Sequence, residues 1–309
     1  MATIDLDRML EKVKSSQWAL VDIDWDAPGA ERITREQWPD LRDFMIDLVW
    51  IEHVGARGFA AMARNAPDET LRQLYTYFHA EEQRHANAEM ALMKRWGMLD
   101  DEGNVPEPNN NIRLVVDWLE RNADHLPYQA LGTVIPALEV ALDGALCNFL
   151  LETVDDPVCH EAFEKINNDE SRHLGVGFTV MEMQGHSSTS IEMVRVLGRT
   201  LKPATLLGLA VYFPLLSKMR DNVVKVGLPE EKLYAAMEKF QRIGGRTRAG
   251  RKNPFFRLIS QHIKIAVDRN QKLYHTPVDL LVRLTDMIPR RALPKKPAWV
   301  GDVTWRPTD

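Results

Sequence analysis

Apolar residues recur along this chain with the period of a helix, and no run of alternating β-branched residues competes with that pattern. The spacing predicts helices near 35–65, 68–96, 111–124, 128–153 and 157–184, and further ones in 190–222, 229–242, 254–270 and 277–288. Pro67 sits among turn and cap residues in "NAPDET", and in "VDDPVC" Asp155 and Asp156 can cap a helix opening at Pro157. "GMLDDEGNVPEPNNN" reads as a polar connection, and the Pro-rich end "MIPRRALPKKPAWVGDVTWRPTD" as an extended tail wrapping the body or a neighbouring subunit. The expectation is an all-α chain forming one domain over 1–309, with a bundle at about 35–185 and additional helices and a tail over 186–309.

Two of these helices carry the same unusual word. "FHAEEQRHAN" and "NNDESRHLGV" each place an acid, a glutamate, an arginine and a histidine in a row. Residues three apart share a helix face, so Glu82 with His85, and Glu170 with His173, each aim a carboxylate and an imidazole at one point. At this composition Glu-x-Arg-His should arise about 0.05 times by chance, so two copies are a signal.

Each word has a partner at matched distance. Glu52 precedes Glu82 by 30 residues and Glu139 precedes Glu170 by 31, with Pro67 and Asp155 near the midpoints. If each pair is a helical hairpin, arms of equal length bring its two acids to the same depth. Glu52 is flanked by Leu48, Val49, Trp50, Ile51 and Val54, and Glu139 by Ile135, Leu138, Val140 and Leu142. A charge among such neighbours needs a partner, and a cation is the strongest one; a buried ion pair with arginine or a carboxylate reaching the surface is the alternative. Four carboxylates and two imidazoles from four helices make a dinuclear site of hard donors, suited to iron or manganese.

On these residues, 40–185 resembles the ferritin-like di-iron carboxylate proteins. "EEQRH" and "DESRH" look like the paired motifs of acyl carrier protein desaturases and bacterial multicomponent monooxygenase hydroxylases. The resemblance implies a ferritin-like four-helix bundle with additional C-terminal helices, holding two iron ions, with Mn/Fe as the alternative pairing. Its metal ligands would be Glu52, Glu82, His85, Glu139, Glu170 and His173. It further implies that Asp169 accepts the outer N–H of His85 and Glu81 that of His173, with Arg84 and Arg172 neutralising these acids; four solvated helix-face residues are the alternative. Asp143, one turn beyond Glu139, is a candidate proton relay, or a salt-bridge partner for arginine.

The remaining chain narrows the reaction. A minimal ferritin ends after its fourth helix, whereas this chain continues for about 120 residues. No tyrosine lies between Phe78 and Trp96 or within 129–138, where related radical-forming or cross-linking proteins carry one. The expected activity is O₂-dependent oxidation (hydroxylation, N-oxidation or desaturation) of a small or acyl-type organic substrate; a ferroxidase or non-catalytic metal-binding protein is the alternative, and a zinc-held scaffold a third. Leu207 and Phe213 in "PATLLGLAVYFPLLSKM" are candidate walls of a substrate pocket, or ordinary core.

Charge and cysteine count bound the partners. The net charge of -5 is uneven: 241–309 carries 15 Lys+Arg against 5 Asp+Glu. "QRIGGRTRAGRKNPFFR" could dock an acidic ferredoxin or an acyl carrier protein, or be plain solvated surface; it lacks the stacking platforms of a nucleic-acid site. Two cysteines, Cys147 and Cys159, are too few for an iron–sulfur cluster, and no Rossmann fingerprint is present, so a separate ferredoxin or reductase would supply electrons. With no signal-peptide pattern and no apolar run long enough for a bilayer, a cytoplasmic protein, expected as a homodimer, is the reading.

Overall fold

The computed structural model describes residues 4–302 except 37, 100–103, 137–138, 140–149, 152–153, 185–213, 216, 219, 223, 227–230, 232–233, 236–237, 239–241, 243–250 and 253. Among the described residues the chain is all-helical, with no strand, and no helix is long and apolar enough to cross a membrane.

Seven helices have defined limits: α1 (Leu6–Ser15), α2 (Trp38–Arg64), α3 (Glu69–Arg95), α4 (Asn110–Asn122), α5 (Pro157–Gln184), α6 (Pro254–Val267) and α7 (Lys272–Asp286). Between α4 and α5 the described residues 128–136, 139 and 150–151 are helical as well. Local chemistry sets the ends. Asp68 caps α3 by accepting the Leu71 N–H at 2.8 Å, and Asn109 caps α4 through the Ile112 N–H at 3.1 Å. Asp156 accepts the Val158 N–H at 3.0 Å where α5 opens on Pro157.

α2 and α3 form a hairpin packed along its length, and α5 lies against α3. Small residues permit the tightest approaches. A β-carbon on Gly58 would press on Ile135, and one on Gly177 would collide with Pro136, so these glycines seat the 128–136 segment against α2 and α5.

The apolar interior is divided in two. One cluster gathers Leu41, Met45 and Trp50 of α2 with Leu92 and Met93 of α3 and Phe163 of α5. The other gathers Phe59 and Met62 with Leu74, Phe78, Leu131 and Val176. The residues between them on each helix, 52–57 on α2, 79–85 on α3 and 169–173 on α5, form a polar layer through the middle of the bundle. Glu52, Glu81, Glu82, His85, Asp169, Glu170 and His173 are all buried in it.

Two elements differ from the sequence reading. α1 was not expected as a helix. Its amphipathic face buries Leu10 and Val13, and Asp5 caps it by accepting the Arg8 N–H at 3.1 Å. α7 begins at Lys272, with Pro277 inside it rather than at its start. The N–H that Pro277 lacks would have met the Leu273 carbonyl, and Leu273 is exposed, so water can serve that group. The tail packs onto the body as far as the description reaches: Arg113 donates to the Pro294 carbonyl, Trp299 Nε1 to Glu120 at 2.6 Å, and Gln83 Nε2 to the Asp302 carbonyl at 3.1 Å.

Candidate metal centre

The polar layer gathers its side chains in two overlapping sets. Glu52, Glu82, His85 and Glu170 offer ligand atoms within 4.8 Å of one another, and so do Glu82, Glu139, Glu170 and His173. Glu82 and Glu170 belong to both, one on each Glu-x-x-His helix. Glu170 Oε1 lies 3.2 Å from His85 Nδ1 while its Oε2 lies 3.3 Å from His173 Nδ1. Glu52 Oε2 stands 3.3 Å from His85 Nδ1, and Glu82 Oε1 3.1 Å from His173 Nδ1. The imidazole centroids are 6.1 Å apart.

Gly55 makes room for this. A β-carbon there would run into the Glu82 carboxylate, so glycine one turn after Glu52 lets Glu82 reach across to α2. Phe59 and Phe78 pack against His173, with centroids at 5.0 and 4.2 Å, and wall its ring on the apolar side.

The outer nitrogens are held firmly. His85 Nε2 meets Asp169 Oδ2 at 3.0 Å and His173 Nε2 meets Glu81 Oε2 at 2.9 Å, each acid reaching across to the other motif's histidine. Arg172 pairs with both acids, 3.2 Å from Glu81 and in direct contact with Asp169. Arg84 lies 3.3 Å from Asp169 and 3.7 Å from Glu81. These four residues are buried or nearly so rather than forming a solvated face. With Nε2 bound outward as a donor, each ring turns a basic Nδ1 inward, the tautomer a metal requires.

The inward atoms face one another instead. Glu82 Oε1, both oxygens of Glu139 and of Glu170, and Nδ1 of His85 and of His173 are buried without a hydrogen bond. Buried polar groups left this way cost several kcal/mol, and seven in one place call for a positive charge at their focus. Burial pushes Glu139 up to about 8 and Glu82 well above the usual carboxylate range. Burial opposes protonation of His85 and His173, but the surrounding carboxylates outweigh it and raise both. Protons thus supply the balancing charge when no cation does. Oxygen-rich donors with two imidazole nitrogens fit divalent iron or manganese. The buried Glu and His groups could bind a metal ion.

Three contributors escaped the sequence reading. Gln17 Nε2 donates to Glu81 at 2.6 Å and Gln17 Oε1 accepts from Arg84 at 3.0 Å. Trp18 Nε1 donates to Asp169 at 2.8 Å, and the Arg84 guanidinium lies 4.9 Å over the Trp18 ring. The N-terminal segment therefore clamps the acids behind both histidines. The third is Glu89, fully buried one turn beyond His85; its place on the Glu82 and His85 stripe was the available signal. Asp143, Leu207 and Phe213 lie outside the described residues, as does most of the basic stretch 241–257. A scan of protein-family models and searches of curated proteins and of solved structures return no match to this chain.

Proposed function

We propose that this chain is a ferritin-like di-iron oxidoreductase that uses O₂ to oxidise a small or acyl-type organic substrate. The observation carrying the reading is the focus of seven buried ligand atoms that make no hydrogen bond, drawn from α3, the Glu139 segment and α5, with Glu52 of α2 beside them. In this reading Glu52 and His85 would hold one ion, Glu139 and His173 the other, and Glu82 and Glu170, which belong to both sets, would help to hold each. A reduced iron pair supplies two oxidising equivalents from O₂. The protein's part is to fix the donors, through Asp169 and Glu81 behind the histidines, and to keep water out with the apolar clusters on either side of the layer. Electrons would come from a separate ferredoxin or reductase.

The test is metal analysis followed by anaerobic loading with Fe²⁺ and exposure to O₂. Two irons per chain and an O₂ uptake that organic substrates accelerate are expected. Stoichiometric zinc with no O₂ reaction would discard the reading. Iron turnover indifferent to every organic compound tried would replace it with a ferroxidase.

A further inference from the structure

α7 presents its aliphatic side to solvent. Leu273, Leu280 and Leu284 on the helix and Met287 at its C-cap are 98%, 58%, 52% and 77% exposed. At about 100° per residue these four share an arc of about 60°, and the buried His275 and Val278 lie on the opposite side. The helix cannot roll to hide the stripe, because its inner side is tied down by hydrogen bonds. His275 Nε2 donates to the Asp268 carbonyl at 2.8 Å, and Asn110 Nδ2 donates to the carbonyls of Thr285 and Ile288 at 2.8 and 2.9 Å. A single exposed leucine is ordinary; four aliphatic side chains in line on the outermost face make a surface.

The edge of that surface is positive. Lys272 and Arg283 flank the stripe on one side, and Arg290 and Arg291 follow Met287 in the next turn. All four are exposed, and none is in an ion pair among the described residues. The two acids of α7 are already neutralised, Asp279 by Arg269 at 3.6 Å and Asp286 by contact with Lys218. The complement of such a patch is negative at its surface and apolar just beneath. A second copy of this chain does not supply that, since it would bring like cations together. The stripe is also small for a dimer: about 21 Å long and one side chain wide, it offers roughly 200 Å² where a stable interface takes about 800 Å² per partner. Protein interfaces centre on aromatic anchors seated in pockets, whereas this stripe is aliphatic and stands out from the body. An anionic bilayer needs no matching of shape. Its acyl boundary takes aliphatic side chains while its phosphates meet lysine and arginine.

We propose that α7 and the Arg290–Arg291 turn lay this protein on an anionic lipid surface, with Leu273, Leu280, Leu284 and Met287 entering the boundary between headgroups and acyl chains. The contact is peripheral and reversible, in keeping with the lack of any described helix able to cross a membrane. It does not depend on the dimetal reading.

The experiment mixes the full-length parent with two sets of vesicles, phosphatidylcholine alone and equal parts phosphatidylcholine and phosphatidylglycerol, and reads co-sedimentation. Binding to the mixed vesicles and little to the neutral ones is expected, falling as salt is raised. Two variants on the exposed face separate the contributions: Leu280→Gln with Leu284→Gln removes apolar contact, and Arg290→Glu with Arg291→Glu reverses charge. Each should weaken binding roughly 10-fold or more while the melting temperature stays near the parent's. Should the leucine pair fail to fold, Met287→Gln at the end of the stripe is expected to weaken binding in the same direction. A parent that ignores both kinds of vesicle overturns the proposal, whatever acidic protein it binds instead. Anionic-vesicle binding that the apolar substitutions leave unchanged overturns it too, as adsorption by charge alone. So does a vesicle-free dimer that the leucine substitutions split, which would assign the stripe to a second copy of this chain.

Discussion

Two buried carboxylate environments in this bundle contrast sharply. At the start of α5, Asp156 is fully buried, yet it accepts from Arg95 Nε at 2.9 Å, Arg95 Nη2 at 3.1 Å, Trp96 Nε1 at 2.8 Å and the Val158 N–H at 3.0 Å. Burial alone would raise its pKa, but the Arg95 and Trp96 hydrogen bonds outweigh it and hold the group below the usual range. In the polar layer, Glu139 is buried as well but accepts nothing, and it is pushed up to about 8. Asp47 falls between: neutral amides of Asn109 at 3.0 Å and Asn222 at 2.6 Å reach it, and burial pushes it up to about 6. Burial alone therefore does not mark a functional acid. A structural acid comes with its donors, whereas the inward carboxylates of the polar layer face one another and two imidazoles.

The most direct way to break this comparison is to remove ligands from the layer. If the layer holds the two metal ions proposed, Glu139→Ala, Glu52→Ala, His85→Ala and His173→Ala should each lose at least one of them, read by elemental analysis. Full occupancy in Glu139→Ala would place that acid with Asp156 as a structural one. The converse substitution, Asp156→Asn, should leave the metal count untouched but cost about 3–5 kcal/mol of stability by stranding the Arg95 guanidinium, measured by denaturant unfolding.

Asp47 tests the middle of the series through pH. Its folded pKa of about 6 lies above its ordinary 3.8, so between those values the native state holds more protons than the unfolded one. Its contribution is present in full below that window, is lost as pH rises through it, and is flat above. The parent should lose on the order of 2–3 kcal/mol relative to Asp47→Asn across this range, and parallel pH profiles would contradict the assignment. The smallest effect is expected from Asp169→Asn, which keeps a hydrogen-bonding group behind His85 but removes its charge. Roughly 10- to 100-fold weaker metal binding with an unchanged fold is the expected outcome, read by titration.

The parts legible in the sequence were those governed by helix period. Glu82 with His85 and Glu170 with His173 are pairs within a single turn, and the matched spacing to Glu52 and Glu139 follows from hairpin arms of equal length. The α2 and α3 limits and the opening of α5 at Pro157 followed from caps and prolines in the same way. Gln17 and Trp18 could not be found so. Their contacts with Glu81 and Asp169 span 64 and 151 residues, and no local pattern encodes where an N-terminal segment docks. Glu89 was hidden for another reason: glutamate is an ordinary helix former, and its spacing was visible while its burial was not. The close approach at Gly55 likewise needed the neighbouring helix in place.

The polar layer has a consequence for how the molecule melts. The clusters around Trp50 and Phe163 and around Phe59 and Phe78 each bury their own apolar surface, and side-chain packing between them is interrupted by ionisable groups. Cooperativity depends on packing that continues from one part of a molecule to the next, so the metal-free chain has a seam across which its halves can loosen separately. Cations bridging Glu52, Glu82, Glu139 and Glu170 would rivet that seam. Scanning calorimetry should then show a broad or split endotherm for the stripped protein and a single sharper one after loading, with the metal setting how many units the protein unfolds in as well as how tightly it holds together.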